Sequence, residues 1–198
     1  MRINSIELYN IGSYEGRNCF DILAQGRDGK IVLIGGKNGA GKTTLFTSIK
    51  LCLYGYKESG YQAMNAYYKR QIKKLINDKA KIENHGNAFV ALSLNIHNGQ
   101  EWDEFFIKRR WSLKDDNFER FSVWKNDVEL SVEEISDFEN YLLNLIPPEL
   151  FELYFCHNLL IQFCRVGWYY LFLIHQVDIH NEYIVLIYRK SRFHIRDI

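Results

Sequence analysis

Apolar and polar positions alternate at the start of the chain, where Ile3, Ile6, Leu8 and Ile11 are separated mostly by polar residues. This pattern predicts a first strand. Gly12-Ser13 and then Glu15-Gly16 supply turn chemistry before a second strand at about residues 19–23, so the opening reads as a hairpin. A further turn at 26–30 leads to Ile31-Val32-Leu33-Ile34, a short apolar run of the kind buried on both faces of a sheet, which ends abruptly at Gly35 and Gly36. Beyond the glycines, Leu45, Ile49 and Leu53, with Phe46 and Cys52 between them, repeat at helical spacing, and Gly55 stands where that helix stops.

The middle of the chain changes period. Residues 61–84 carry Lys69, Arg70, Lys73, Lys74, Lys79 and Lys81 and predict one or two exposed helices, while Phe89, Ala91, Leu92, Leu94 and Ile96 predict a strand closed by a turn at Gly99. Residues 102–111 and 118–124 are rich in aromatic and β-branched side chains and flank the polar run Lys114-Asp115-Asp116-Asn117, which predicts an antiparallel meander. Ser131 followed by Glu134 fits a helix N-cap with its N3 partner. Ile135, Phe138, Leu142 and Leu145 continue that helix until Pro147-Pro148 ends it.

Composition narrows the class. With 198 residues, 47% hydrophobic and 25% charged, the chain can bury the core of one globular domain, with or without an appendage, and it is not a disordered protein. A net charge of +1 gives no global field toward nucleic acid, so any DNA contact must come from a local patch. The four cysteines, Cys19, Cys52, Cys156 and Cys164, are scattered without a CxxC pair, which points to reduced thiols in a cytoplasmic protein. Residues 1–12 lack the apolar run of a signal peptide, and the longest apolar stretch, 159–174, is broken by Gln162 and Arg165, so no membrane partner is expected.

The glycines after the apolar run carry the chemistry. Gly36-Lys37-Asn38-Gly39-Ala40-Gly41-Lys42-Thr43 matches the phosphate-binding loop G-x-x-x-x-G-K-[ST] at every fixed position. By average composition such a match arises by chance in roughly one protein per hundred, and its place between a strand and a helix lowers that risk. Small residues let successive backbone N–H groups turn toward phosphate, and the helix that follows points its positive end at the same charge. Lys42 is the candidate catalytic lysine on the β- and γ-phosphates of ATP, Thr43 is the candidate Mg²⁺ ligand, and Thr44 closes the cradle. No D-x-x-G or N-K-x-D occurs, which disfavours a GTPase, and no run of four apolar residues ends in Asp to serve as a hydrolytic strand. A small P-loop kinase would need acceptor-site acids and paired lid arginines that the chain does not show.

The stretch from Ile34 to Leu45, followed by Ile49, Leu51 and Leu53-Tyr54-Gly55, resembles the SMC and SbcC-type ATPases, and Leu8-Tyr9-Asn10-Ile11-Gly12-Ser13-Tyr14 resembles their first strand and turn. Within that superfamily, Lys108-Arg109-Arg110-Trp111 and the path from Leu145-Ile146-Pro147-Pro148 to Leu153-Tyr154-Phe155 are most similar to the DndD ATPases of DNA phosphorothioate modification. The resemblance implies an α/β P-loop NTPase fold, the amino-terminal lobe of an ABC/SMC-type head with an antiparallel β subdomain. It also implies ATP and Mg²⁺ as cofactors, and DNA as a partner of the full-length assembly. A carboxy-terminal lobe, or a second head such as a second copy of the chain, would bring the missing hydrolytic motifs. The other readings are an SbcC-type break-repair fragment, or a non-catalytic nucleotide-binding module or remnant.

The family likeness covers residues 1–155. Where relatives of the DndD type continue into a phenylalanine and Asp-Gly-Glu, this chain has Cys156-His157-Asn158, and residues 156–198 hold only three acids, Asp178, Glu182 and Asp197. This predicts a lobe at 1–155 and an atypical tail at 156–198, read as frameshifted or truncated sequence. The rival is a divergent genuine tail with strands near 169–174 and 183–188. Among secondary features, the cluster from Lys69 to Lys81 reads first as a solvated helix face and second as a DNA contact. Trp102, Trp111 and Trp124 read as cross-strand packing, at most two of Lys108, Arg109 and Arg110 share a face, and His85 and His97 carry no assigned chemistry.

Overall fold

The computed structural model of the chain describes residues 1–22, 32–37, 39–83, 85–151, 169–174, 176–178 and 182–184. Strand β1 (Arg2–Ile11) and strand β2 (Tyr14–Asp21) form the opening hairpin, with Ile11 paired to Tyr14 across Gly12 and Ser13. The second strand begins earlier than residue 19, because Glu15 and Gly16 lie inside it. A bulge absorbs their turn chemistry. Asn10 (φ 56) and Gly16 (φ 64) both take left-handed conformations, the register shifts between Tyr9 and Ile11, and the Asn10 side chain accepts from the Gly16 N–H at 2.9 Å. The turn expected at 26–30 lies outside the described residues.

Strands β4 (Ala88–His97), β5 (Trp102–Trp111) and β6 (Glu119–Lys125) form the meander, with the short β7 (Val128–Glu129) at its edge. Hairpin and meander are one structure, since β1 pairs with β4 and all six strands run antiparallel in the order β2-β1-β4-β5-β6-β7. The antiparallel strands are therefore the main described sheet of a mixed α/β protein, where the sequence suggested a subdomain added to another sheet. Strand β3 (Val32–Lys37) belongs to a separate two-stranded sheet, paired antiparallel with β8 (Tyr169–Ile174). Gly35 and Gly36 do not end β3, because extended backbone is open to glycine as to other residues, and the strand runs on to Lys37. Strands β9 (Gln176–Asp178) and β10 (Glu182–Ile184) pair with each other.

Period-two alternation decides which face is buried. Ala88, Val90, Leu92, Leu94 and Ile96 of β4 join Phe105, Ile107 and Trp111 of β5 in the core. Helix α1 (Lys42–Tyr54) joins the same core through Leu45, Ile49, Cys52 and Leu53, which recur at helical spacing. The Cys52 thiol donates to the Val90 carbonyl at 3.3 Å, and burial pushes its pKa up to about 12, which makes it a packing group and not a nucleophile. Helices α2 (Ala66–Leu75) and α3 (Asp78–Glu83) follow, and α4 (Val132–Leu145) starts with the capping box that Ser131 and Glu134 predict, bonds of 3.3 and 2.8 Å. No helix among the described residues is long and apolar enough to cross a membrane.

The end of α1 is set by an ionic cluster. Gly55 caps the helix at φ 55, and a Cβ there would lie 2.7 Å from Nη1 of Arg109. The Arg109 side chain is 2% exposed and faces Glu119, at 4%, through a 2.6 Å bond. It also donates to Glu139 of α4 at 3.0 Å and to the Cys52 carbonyl at 3.2 Å, and its guanidinium lies 4.0 Å from the centre of the Phe121 ring. Glu119 accepts in turn from the Trp111 indole at 2.7 Å and from the Tyr68 hydroxyl. One guanidinium thus ties β5, β6, α4 and the last turn of α1. Its neighbours in sequence point elsewhere: Lys108 sits 3.8 Å over the Phe89 ring, and exposed Arg110 pairs with Asp115 at 2.9 Å.

Burial alone would raise the pKa of Glu139, but the charge of Arg109 and the bond from Lys57 at 2.9 Å outweigh it and hold the carboxyl below the ordinary 4.5. A depressed folded-state value contributes stability that is complete above the ordinary pKa and is lost as pH falls through the folded one. Urea unfolding is expected to show acid destabilisation below about pH 4.5, with a shallower slope in Glu139→Gln. At neutral pH, Arg109→Ala is expected to cost about 3–5 kcal/mol by stranding buried carboxylates. Arg110→Ala, which breaks only an exposed pair, should cost no more than about 1 kcal/mol.

Candidate nucleotide-binding site

The predicted loop residues come together between β3 and α1. Gly36 and Lys37 are the last residues of β3, Gly39 and Ala40 make the turn, Gly41 is the N-cap, and Lys42, Thr43 and Thr44 form the first turn of α1. Asn38, expected in the cradle, lies outside the described residues. The turn closes on one acceptor: the Lys37 carbonyl receives the Ala40 N–H at 3.1 Å and the Lys42 ammonium at 2.9 Å. Two glycines make this path possible, Gly39 at φ 79 and Gly41 at φ 90, both in the left-handed region where a Cβ is strained.

Their surroundings differ. A Cβ on Gly39 would meet nothing within 4 Å, so that position needs glycine for its φ alone. A Cβ on Gly41 would lie 2.5 Å from the Ser13 hydroxyl oxygen and 2.9 Å from the Tyr14 ring, so that position needs glycine for φ and for space. Spacing could not reveal this contact. Ser13 and Tyr14 stand far from Gly41 in sequence and in a different element, and no motif joins them.

The front of α1 is built for an anion. The first N–H groups of a helix have no intrahelical acceptors, and they sit at the positive end of its dipole. The N-cap is a glycine, no described side chain caps it, and the first turn contains no acid. Burial lowers the pKa of the Lys42 ammonium below its ordinary 10.5, a sign that it is partly withdrawn from water. Thr43 is exposed with its hydroxyl in the same turn. Backbone donors, one ammonium and one hydroxyl make a donor set that fits a polyphosphate with a hard, oxygen-seeking cation.

The family model described as an AAA domain matches residues 5–164, most of the chain. The chain belongs to the AAA-domain family. It is therefore a nucleotide-binding module of the ATPase type, and that family works with ATP and Mg²⁺. No curated protein is matched by this AAA domain.

The remaining candidate residues of the AAA domain serve packing or lie on its surface. Trp111 is fully buried, Trp124 pairs with Phe106 across β5 and β6 at 5.4 Å between ring centres, and Trp102 lies against His97 at 5.1 Å. Lys69, Arg70, Lys73 and Lys74 are exposed on α2, whereas Lys79 pairs with Glu15 at 2.9 Å and Lys81 with Asp78 at 2.7 Å. Tyr154, Phe155 and Cys156-His157-Asn158, where the sequence predicts a change from lobe to tail, lie outside the described residues, and the AAA-domain match runs past them to residue 164.

Thermal unfolding tests the two glycines. Gly39→Ala is expected to lose about 1 kcal/mol through backbone strain alone. Gly41→Ala should lose more, about 2–4 kcal/mol, because strain and the collision with Ser13 and Tyr14 add. Equal losses at both positions would show that the hairpin turn does not press on the loop.

Proposed function

We propose that the chain binds ATP with Mg²⁺ through Gly36, Lys37, Asn38, Gly39, Ala40, Gly41, Lys42, Thr43 and Thr44, and that it contributes this half of an ATPase site to a DNA-associated, SMC-like assembly. The observation that carries the nucleotide reading is the folded loop itself. The Lys42 ammonium lies 2.9 Å from the Lys37 carbonyl, across a turn that only Gly39 and Gly41 permit, in front of the α1 N-terminus. Triphosphate would take up the backbone donors and the ammonium, and the Thr43 hydroxyl would join the coordination of Mg²⁺, which supplies charge neutralisation and polarisation of the terminal phosphoryl group.

Hydrolysis in this reading needs groups that the P-loop lobe does not carry. The chain has no apolar run of four residues ending in Asp, so the carboxylate that orients water would come from a carboxy-terminal lobe or a second head. The DNA-associated part rests on the exposed Lys69, Arg70, Lys73 and Lys74 of α2, a local basic patch on a chain of net charge +1. The DndD-type assignment, with DNA modification or restriction as its role, rests on the likeness around residues 108–111 and 145–155. An SbcC-type break-repair role is the alternative.

Calorimetry tests the nucleotide reading. Mg·ATP is expected to bind the wild-type chain at one site. Lys42→Ala should weaken binding by about 10- to 100-fold, as loss of a charge-assisted bond predicts. Thr43→Ala should remove the gain from Mg²⁺ while sparing metal-free binding. Equal affinity in Lys42→Ala and wild type would end the proposal.

A further inference from the structure

The turn between β1 and β2 lies outside the phosphate-loop motif, yet it forms one wall of that loop. Tyr14 is buried, and its hydroxyl donates to the Gly41 carbonyl at 3.1 Å. The same carbonyl accepts the first helical bond of α1, from the Leu45 N–H at 2.8 Å. The Gly41 carbonyl and the Lys42 N–H belong to one planar peptide and point in opposite directions. A hydroxyl held on the carbonyl therefore also fixes the N–H that points out of the helix N-terminus, where an anion would sit.

The turn is braced on its other side. The Gly12 N–H donates to the Leu75 carbonyl at 2.6 Å, the Asn77 side-chain amide donates to the Gly12 carbonyl at 2.8 Å, and the Asn77 N–H donates to the Asn10 carbonyl at 2.9 Å. Ile11 and Ile76 form a β-bridge between these bonds. The Asn77 side-chain oxygen accepts from the Lys79 N–H at 3.0 Å, so Asn77 cannot swing away from the turn without uncapping α3. On the loop side there is no slack: a Cβ on Gly12, at φ 53, would lie 2.7 Å from the Thr44 methyl carbon. The turn is held between the segment after α2 and the first turn of α1.

We propose that Tyr14 is a positioning residue of the phosphate site, acting through the Gly41 carbonyl, and that Asn77 holds the turn that carries it. This rests on the ATP-binding reading above. Tyr14 touches no phosphate itself. It sets the Gly41–Lys42 peptide before the ligand arrives, so that less ordering is left to be done on binding.

Tyr14→Phe keeps the ring against Gly41 and removes only the donor. Four readouts on the full chain test it: affinity for Mg·ATP, affinity for inorganic tripolyphosphate, the amide resonance of Lys42 in nucleotide-free protein, and the melting temperature. Loss of one neutral hydrogen bond predicts affinities about fivefold weaker for both ligands. The melting temperature should change little, and the Lys42 amide should shift while core amides of β4 and β5 stay in place. A purely structural role would not move affinity and the Lys42 amide together at constant melting temperature.

Weakening of Mg·ATP without tripolyphosphate would mean that Tyr14 contacts the base, and would overturn the proposal. Unchanged affinity with an unmoved Lys42 amide would overturn it as well. If wild-type protein binds neither ligand, the ATP-binding reading falls and the proposal falls with it, whereas firm wild-type binding with an indifferent Tyr14→Phe removes the proposal alone. Should Tyr14→Phe not fold, Asn77→Ala relaxes the turn from behind. It is expected to weaken both ligands by about twofold, as a fraction of one bond's worth, and to displace the Lys42 amide; no effect on either would refute the bracing role.

Discussion

A guanidinium buried between two carboxylates fixes where the elements of this chain meet. Arg109 reaches Glu119 on β6, Glu139 on α4 and the Cys52 carbonyl in the last turn of α1, and Gly55 is the residue that leaves it room. Taking such a group out of water is costly, and the cost is offset only when its hydrogen bonds are made to well-placed partners. That requirement leaves α1 little freedom at its carboxy-terminal end. Its amino-terminal end is held differently, by close packing of Gly12 against Thr44 and of Tyr14 and Ser13 against Gly41. The helix that follows the glycine loop is thus a strut with both ends fixed, one by charge and one by shape.

This arrangement connects the antiparallel sheet to the chemistry. The sheet supplies the face on which Leu45, Ile49 and Leu53 pack, and the hairpin of β1 and β2 places its turn at the loop. The glycines set the backbone direction, the helix supplies the positive end, and in the proposed site Lys42 and Thr43 would supply the side-chain chemistry. The sequence has no run of four apolar residues ending in Asp to orient water for attack. In the function we propose, this ATPase-type module holds nucleotide and shares hydrolysis with a further lobe or chain.

Local signals predicted local structure well. The Ser131–Glu134 capping box, the stop of α1 at Gly55 and the alternation of β4 and β5 were legible because each depends on residues close in sequence. The glycine turn between β3 and α1 is legible for the same reason, as contiguous residues with a fixed spacing. What sequence could not show was long-range. The joining of hairpin and meander through β1 and β4 depends on pairing between strands far apart, and turn chemistry at Gly16 predicts a strand boundary because a bulge looks like a turn when its partner is unseen. Lys108-Arg109-Arg110 was readable as alternating, but which member would be buried depended on Glu119 and Glu139, in two other elements.

The most direct test of a nucleotide site that holds but does not cleave is the fate of bound ATP. The purified chain is mixed with Mg²⁺ and γ-labelled ATP, and both retained nucleotide and released phosphate are measured, with Lys42→Ala in parallel. The account predicts nucleotide retained by wild type and not by Lys42→Ala, recovered as intact ATP. Continuous phosphate release that Lys42→Ala abolishes would contradict it, by placing the whole hydrolytic site within this chain.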